Sequence, residues 1–249
     1  MGGTQPSINK YPWIASIKID DNNDGTPDSH CGGTLVASRY VITAAHCVWM
    51  RKSKSWMVPS QLQLVIGEHY LFMDGESWME KKVLVSKITG HPNYEPNNRY
   101  NNDIAVVQLA SDVDLRTYTP ACMARSTDYN FAGVLARVYG WGAIKQGGNV
   151  HHTLMEVDVP VVSNAVCGQT MPSITEGKLC AGGHLNKDSC TVRNILPTIL
   201  SPLPIIVQGD SGGPLTYKRY NQHILIGDVS YGEGCGQVSK QQYCHYSPN

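Results

Sequence analysis

The chain has 249 residues, with 20 Lys and Arg against 20 Asp and Glu, and so carries no formal net charge. That balance removes the electrostatic case for nucleic acid or an anionic membrane surface as partner. A hydrophobic share of 41 %, with 24 Gly and 14 Pro, excludes a disordered chain and favours short strands joined by turns over long charged helices.

Apolar or alternating runs recur at 13–19, 62–66, 82–88, 104–109, 135–139, 156–161 and 224–230, and each is predicted to be a strand. Turn clusters separate them at 20–28, 91–102, 145–149 and 182–189. Only 44–50 and 163–170 read as short helical turns, and 111–120 reads as a link between two halves. The pattern predicts an all-β sandwich or barrel. The longest apolar stretch, 195–207, is 13 residues with three prolines, too short and too broken to span a bilayer. Eight cysteines without any C-x-x-C argue for disulfides rather than a zinc ribbon. Disulfides imply an oxidising compartment, so a secreted, extracellular protein is expected, although Met1-Gly2-Gly3-Thr4-Gln5 is no signal peptide.

Three strings carry chemistry. Gly209-Asp210-Ser211-Gly212-Gly213-Pro214 surrounds a serine with glycines, which lets a tight turn expose the hydroxyl and aim backbone N–H groups at a bound carbonyl oxygen. The G-x-S-x-G outline alone also fits the nucleophile elbow of α/β-hydrolases, or a plain Gly-Ser turn. Thr43-Ala44-Ala45-His46-Cys47 offers a base, though a histidine among small residues is equally a satisfied core side chain. Asn102-Asp103-Ile104-Ala105 opens a strand on an acid, which in isolation is an ordinary strand-start residue.

Taken together with Cys31-Gly32-Gly33-Thr34-Leu35, Gly140-Trp141-Gly142, Leu179-Cys180-Ala181-Gly182, Lys187-Asp188-Ser189-Cys190 and Ser230-Tyr231-Gly232, the chain resembles the chymotrypsin/trypsin-type serine endopeptidases. The order His, Asp, Ser is that of this family, whereas an α/β-hydrolase needs its histidine after the serine. The resemblance implies two antiparallel six-stranded Greek-key β-barrels, at 1–115 and 116–236.

It further implies a His46/Asp103/Ser211 triad acting through an acyl-enzyme, with an oxyanion hole from the N–H groups of Gly209 and Ser211. Asp188 would take a substrate Arg or Lys in the specificity pocket, Gly232 would leave room for it, and Ser230-Tyr231-Gly232 would pair with an extended substrate. Family pairs imply disulfides Cys31–Cys47, Cys167–Cys180 and Cys190–Cys235. Cys122 matches the cysteine that ties many members to a propeptide or light chain; Cys244 has no counterpart, and a Cys122–Cys244 pair stays open.

No cofactor or metal is expected. Residues 20–28 hold the front half of a calcium loop, D-x-N-x-D-G, but Cys31 stands where the bidentate Glu belongs, so a solvated hairpin loop is the better reading and calcium the weaker one. The acids of 68–80 are spaced unlike a calcium loop, and His151-His152 has no third ligand.

The chain departs from the family at three places. Its start carries only Met1 before Gly2-Gly3, where the activated family begins with an apolar residue whose α-amine pairs with the acid before the serine, here Asp210. The stretch from Asp188 to Ser211 is much longer than the pattern, with the excess at 192–207. Residues 237–249 resemble neither the closing strand nor the helix of the family, which leaves the second barrel one strand short. Both aberrant segments are expected to be translated introns. The literal chain is accordingly expected to be weakly active or inactive, and the alternative function is a protease homologue acting as a binding module.

Overall fold

The computed structural model of the protein describes residues 3–75, 77–97, 100–125, 131–143, 150–169, 174–182 and 210–230, and the backbone of 237–240. The first sheet is built from β1 (Ile14–Ile19), β2 (Ser29–Ala37) and β3 (Tyr40–Thr43), followed after a small hairpin of β4 (Trp49–Met50) and β5 (Ser55–Trp56) by β6 (Leu62–Ile66), β7 (Lys81–Val83), β8 (Val85–Gly90) and β9 (Ala105–Leu109). Its order is β7-β6-β1-β2-β3-β9-β8. β7 pairs with β6 and β8 pairs with β9, so one bent run serves both ends of the sheet and closes it. The run predicted as a single strand over 82–88 breaks at Leu84, which is 79 % exposed and lies outside the ladder. Barrel corners form where a strand changes partners in this way.

Period-two alternation builds the core. Ala105, Val107 and Leu109 of β9 are at most 1 % exposed, while Val106 and Gln108 between them are only half-buried. They join Ile17, Leu35 and Leu64 in the larger apolar cluster.

The second sheet comprises β10 (Cys122–Met123), β11 (Leu135–Gly140), β12 (Met155–Val162), β13 (Lys178–Ala181), β14 (Pro214–Arg219), β15 (Gln222–Val229) and β16 (Gln237–Lys240). Its order is β10-β15-β14-β11-β12-β13-β16, and β15 also pairs with β16, which closes a ring of six; β10 joins β15 from outside in parallel. The expectation that 237–249 supplies no strand is thereby corrected. Gln237 pairs with Cys180 of β13, and Val238 with Val229 of β15. Ladder hydrogen bonds use backbone groups alone, so two strands with open edges accept any extended partner in register.

Two of the implied disulfides form, Cys31–Cys47 and Cys167–Cys180, the latter joining β13 to the short helix α1 (Asn164–Cys167). Ser163 caps α1, its hydroxyl accepting from Val166 N. Cys190–Cys235 and Cys244 lie outside the described residues. Cys122 is an exposed free thiol.

The N-terminal segment is stitched across the seam between the barrels. Thr4 and Glu156 exchange backbone hydrogen bonds of 2.9 and 2.8 Å. Beside them Arg137 of β11 faces Asp158 of β12 and donates to it at 2.5 and 2.8 Å, while its third nitrogen donates to Tyr11 at 3.0 Å. Tyr11 in turn donates to Glu156. Because Asp158 is 41 % exposed, solvent screens much of this pair. Arg137→Met is therefore expected to cost only about 1 kcal/mol, shrinking further at high salt, as urea melts at two ionic strengths would read. A loss above about 3 kcal/mol would mean the network is far less solvated than its exposure says.

Candidate active site

β3 and β9 pair with Thr43 opposite Ala105. The chain leaves β3 for a single 3-10 turn, Ala45–Cys47, and enters β9 through Asp103 and Ile104, so His46 and Asp103 emerge at one end of the first barrel. In the second barrel Pro214 of β14 faces Asp228 of β15. Ser211, just ahead of β14, and Ser230, just after β15, therefore share one end as well.

Asp103 has no exposed surface, and its carboxylate is fully used. Oδ1 accepts from the backbone N–H of His46 at 2.8 Å, Oδ2 accepts from His46 Nδ1 at 2.7 Å, and Ser230 Oγ also donates to Oδ2. A carboxylate at Nδ1 requires the proton to sit there, which leaves Nε2 as the basic edge of the ring. His46 is 18 % exposed on its side chain, so that edge remains reachable.

The serine turn hangs on both barrels. Ser211 O accepts from Gly32 N of β2 at 2.7 Å, and Gly212 N donates to Val229 O of β15 at 2.7 Å. Only glycine fits at 212: its φ is +76°, and a Cβ there would stand 2.2 Å from Thr43 Oγ1. Thr43 itself holds β2 by donating to Gly32 O at 2.8 Å. The described residues contain no hydrogen bond between Ser211 Oγ and His46 Nε2, and Nε2 lies 3.8 Å from Cys47 Sγ. Such contacts commonly tighten only when substrate is bound.

Asp210 folds back against the Gly140 and Gly142 backbone, where Oδ1 accepts from Gly142 N at 2.7 Å. Loss of water around this carboxyl pushes its pKa up to about 6, against the pull of that N–H. Burial lowers His69 and His223, so both cost stability when charged: their contribution is present above about pH 6.5 and lost as pH falls.

Four neighbours of the site have no motif to announce them. Tyr100 sets its ring 5.4 Å from that of His46, and the Arg51 guanidinium lies over the Tyr100 ring at 5.1 Å. Tyr94, flanked by Trp49 and Trp56 at 5.9 and 5.7 Å, forms an aromatic wall below the β4–β5 hairpin, with its hydroxyl raised by burial and by the charge of Asp103. Asp228, an acid inside an apolar strand, is the fourth.

Gly209, Asp188, Tyr231, Gly232 and the segment 192–207 lie outside the described residues. Within 20–28, the Asp20 carboxylate accepts from Asp24 N at 3.1 Å and Gly25 N at 2.6 Å, organising the turn internally. The metal-spaced cluster among the described residues, Cys31, His46 and Cys47, has its sulfurs in a disulfide.

The sequence profile of the trypsin family matches residues 1–191. The chain belongs to the trypsin family of serine proteases. This trypsin-family chain is 34 % identical over 244 residues to "Serine protease filzig" of Drosophila melanogaster, covering 94 % of the chain and 13 % of the fly protein. It is 31 % identical over 242 residues to "Venom protease" of Bombus pensylvanicus, covering 94 % and 89 %. With "Mannan-binding lectin serine protease 1" of Homo sapiens it shares 30 % over 253 residues, covering 95 % and 32 %. It thus spans well under two thirds of the fly and human proteins. No helix among the described residues of this trypsin-family chain is long and apolar enough to cross a membrane.

Proposed function

We propose that the chain is a secreted endopeptidase that hydrolyses peptide bonds after Arg or Lys through an acyl-enzyme on Ser211. The observation that carries this reading is the fully buried Asp103 carboxylate, which holds His46 at two points and leaves Nε2 as the basic nitrogen of the ring. In this reading His46 Nε2 takes the Ser211 proton as Oγ attacks the scissile carbonyl. Asp103 stabilises the imidazolium, which then protonates the leaving amine; water, deprotonated by the same nitrogen, cleaves the acyl-enzyme. The N–H groups of Gly209 and Ser211 receive the oxyanion, each donor contributing about 3 kcal/mol to the transition state. Hydrolysis then needs protein groups and water, with no cofactor in any step. Asp188 supplies the charge that selects Arg or Lys, and 230–232 pairs with the substrate backbone.

Two features extend the proposal to processing. Asp210 is enclosed and, among the described residues, has one N–H donor to its carboxylate, an environment suited to receiving the α-amine released when a precursor is cleaved. Cys122, exposed and unpaired, fits a disulfide to an upstream propeptide or light chain, and the two disulfides support an extracellular setting.

The test is to treat the full chain with a biotinylated fluorophosphonate, then to assay Arg-, Lys- and Phe-aminomethylcoumarin peptides. We expect weak labelling and slow turnover of the Arg and Lys peptides, both abolished by Ser211→Ala, with Phe inert. Labelling with a Phe preference would overturn the specificity alone. A folded chain that neither labels nor cleaves would instead support the binding-module reading.

A further inference from the structure

Asp228 lies in β15 two residues before Ser230. Alternate residues of a strand share a face, so its side chain is on the face from which Ser230 reaches Asp103. It has no exposed surface, and neither carboxyl oxygen has a hydrogen-bond partner. Among the described side chains no cation acts on it. On β14 its register partner is Pro214; on β16 it is Ser239, with Lys240 one step further along, opposite Gly227. From the first barrel comes the charge of Asp103, whose carboxylate is bound to His46.

Two carboxyls in one dry pocket do not both ionise. Asp103 accepts three hydrogen bonds from other residues and Asp228 none, so the proton resides on Asp228. Burial and the Asp103 charge act in the same direction, raising the Asp228 carboxyl well above the usual range.

We propose that Asp228 is a concealed acid of the active centre, neutral while the site is assembled, whose ionisation beside Asp103 displaces the Ser230 end of β15 and closes the working pH range from above. The step is loss of one proton from the Asp228 carboxyl to solvent. The anion left behind repels the Asp103 carboxylate. Asp228 touches no substrate and acts through Asp103.

The sign for stability follows from linkage. A carboxyl raised in the folded state contributes stability that is complete below the unfolded value near pH 4 and is lost as pH rises towards the folded value. Each pH unit in that window lowers the folded-to-unfolded ratio by about tenfold. Asp210 acts in the same sense only to about pH 6, and the buried histidines act below about pH 6.5, so the part of any decline above that point that Asp228→Asn removes belongs to Asp228.

The experiment compares the full chain with Asp228→Asn and Asp228→Val. Three quantities are read: denaturant midpoints from roughly pH 6.5 to 9, the protonated-carboxyl stretch in infrared difference spectra at neutral pH, and kcat/KM against pH. We expect the wild type to lose stability across this window, and to show a carboxyl band that both variants lack. We expect its kcat/KM to fall about tenfold per pH unit beyond the midpoint while the Asn variant stays flat. Matching stability profiles together with no carboxyl band would overturn the proposal. The kinetic arm rests on the triad reading, whereas the stability and infrared arms do not, so a chain without turnover leaves Asp228 fully testable. Should the Val variant fail to fold, the isosteric Asn variant decides.

Discussion

Asp103→Asn lowers kcat for Arg-coumarin hydrolysis by about 10⁴-fold and leaves the chain folded. The size follows from what the residue holds. Asp103 accepts from His46 N, His46 Nδ1 and Ser230 Oγ, and an amide presents one oxygen where the carboxylate presents two. If the amide oxygen stays with the backbone N–H, its NH₂ faces Nδ1. The ring then moves its proton to Nε2, and the edge that should take the serine proton already carries one. KM should change little, because no substrate contact is removed. Stopped assays of kcat and KM, with circular dichroism on the same samples, check both halves. A drop smaller than tenfold in a folded variant would remove Asp103 from the mechanism.

Removing the Cys31–Cys47 bridge by paired Ala substitutions should cost about 3 kcal/mol of stability, the loop-closure value for a separation near 16 residues. Catalysis should suffer beyond that loss. Cys47 ends the turn that bears His46, and Cys31 precedes Gly32, whose N–H fixes the Ser211 carbonyl. A shift on the order of 1 Å at either point is worth about 100-fold in rate. The Cys167–Cys180 bridge is the internal control: with a separation of 13 its removal should cost similar stability, but it touches neither dyad nor serine turn. Denaturant melts and kcat on both paired variants separate the effects. Equal catalytic loss from the two would show that the first bridge contributes only global stability.

Much of the fold was legible because strands announce themselves by alternation. The runs at 13–19, 62–66 and 104–109 coincide closely with β1, β6 and β9. β2 and β3 carry no such signal: Gly32 and Gly33 interrupt the pattern, since close approach of the serine turn, not burial of side chains, selects the residue at 32. The break at Leu84 was invisible because a change of pairing partner leaves no trace in a local pattern. β16 was missed for a related reason, as its place depends on two open edges, one of them on β13 far away in the chain. At the site, the strings around His46, Asp103 and Ser211 were singled out through the resemblance to the serine endopeptidases, since each alone also reads as an ordinary turn or core residue. Tyr100, Arg51 and Tyr94 were not, because aromatic and basic residues in a loop mean nothing until the fold sets them beside the imidazole. Asp228 carried a signal, an acid among Ile, Gly and Val, but its meaning depends on the distant Asp103.

The hydrogen bond from Gly32 N to Ser211 O has one more implication. The base and the nucleophile belong to separate halves of the polypeptide, and neither half contains a site. Reactivity is therefore a property of docking: it appears only when the halves meet and scales with how firmly they are held. Under the proposed triad, a nascent or partly unfolded chain would carry its serine without a base beside it. Anything that grips the seam from outside, such as the strap running through Thr4 and Tyr11, sets the rate without approaching the substrate.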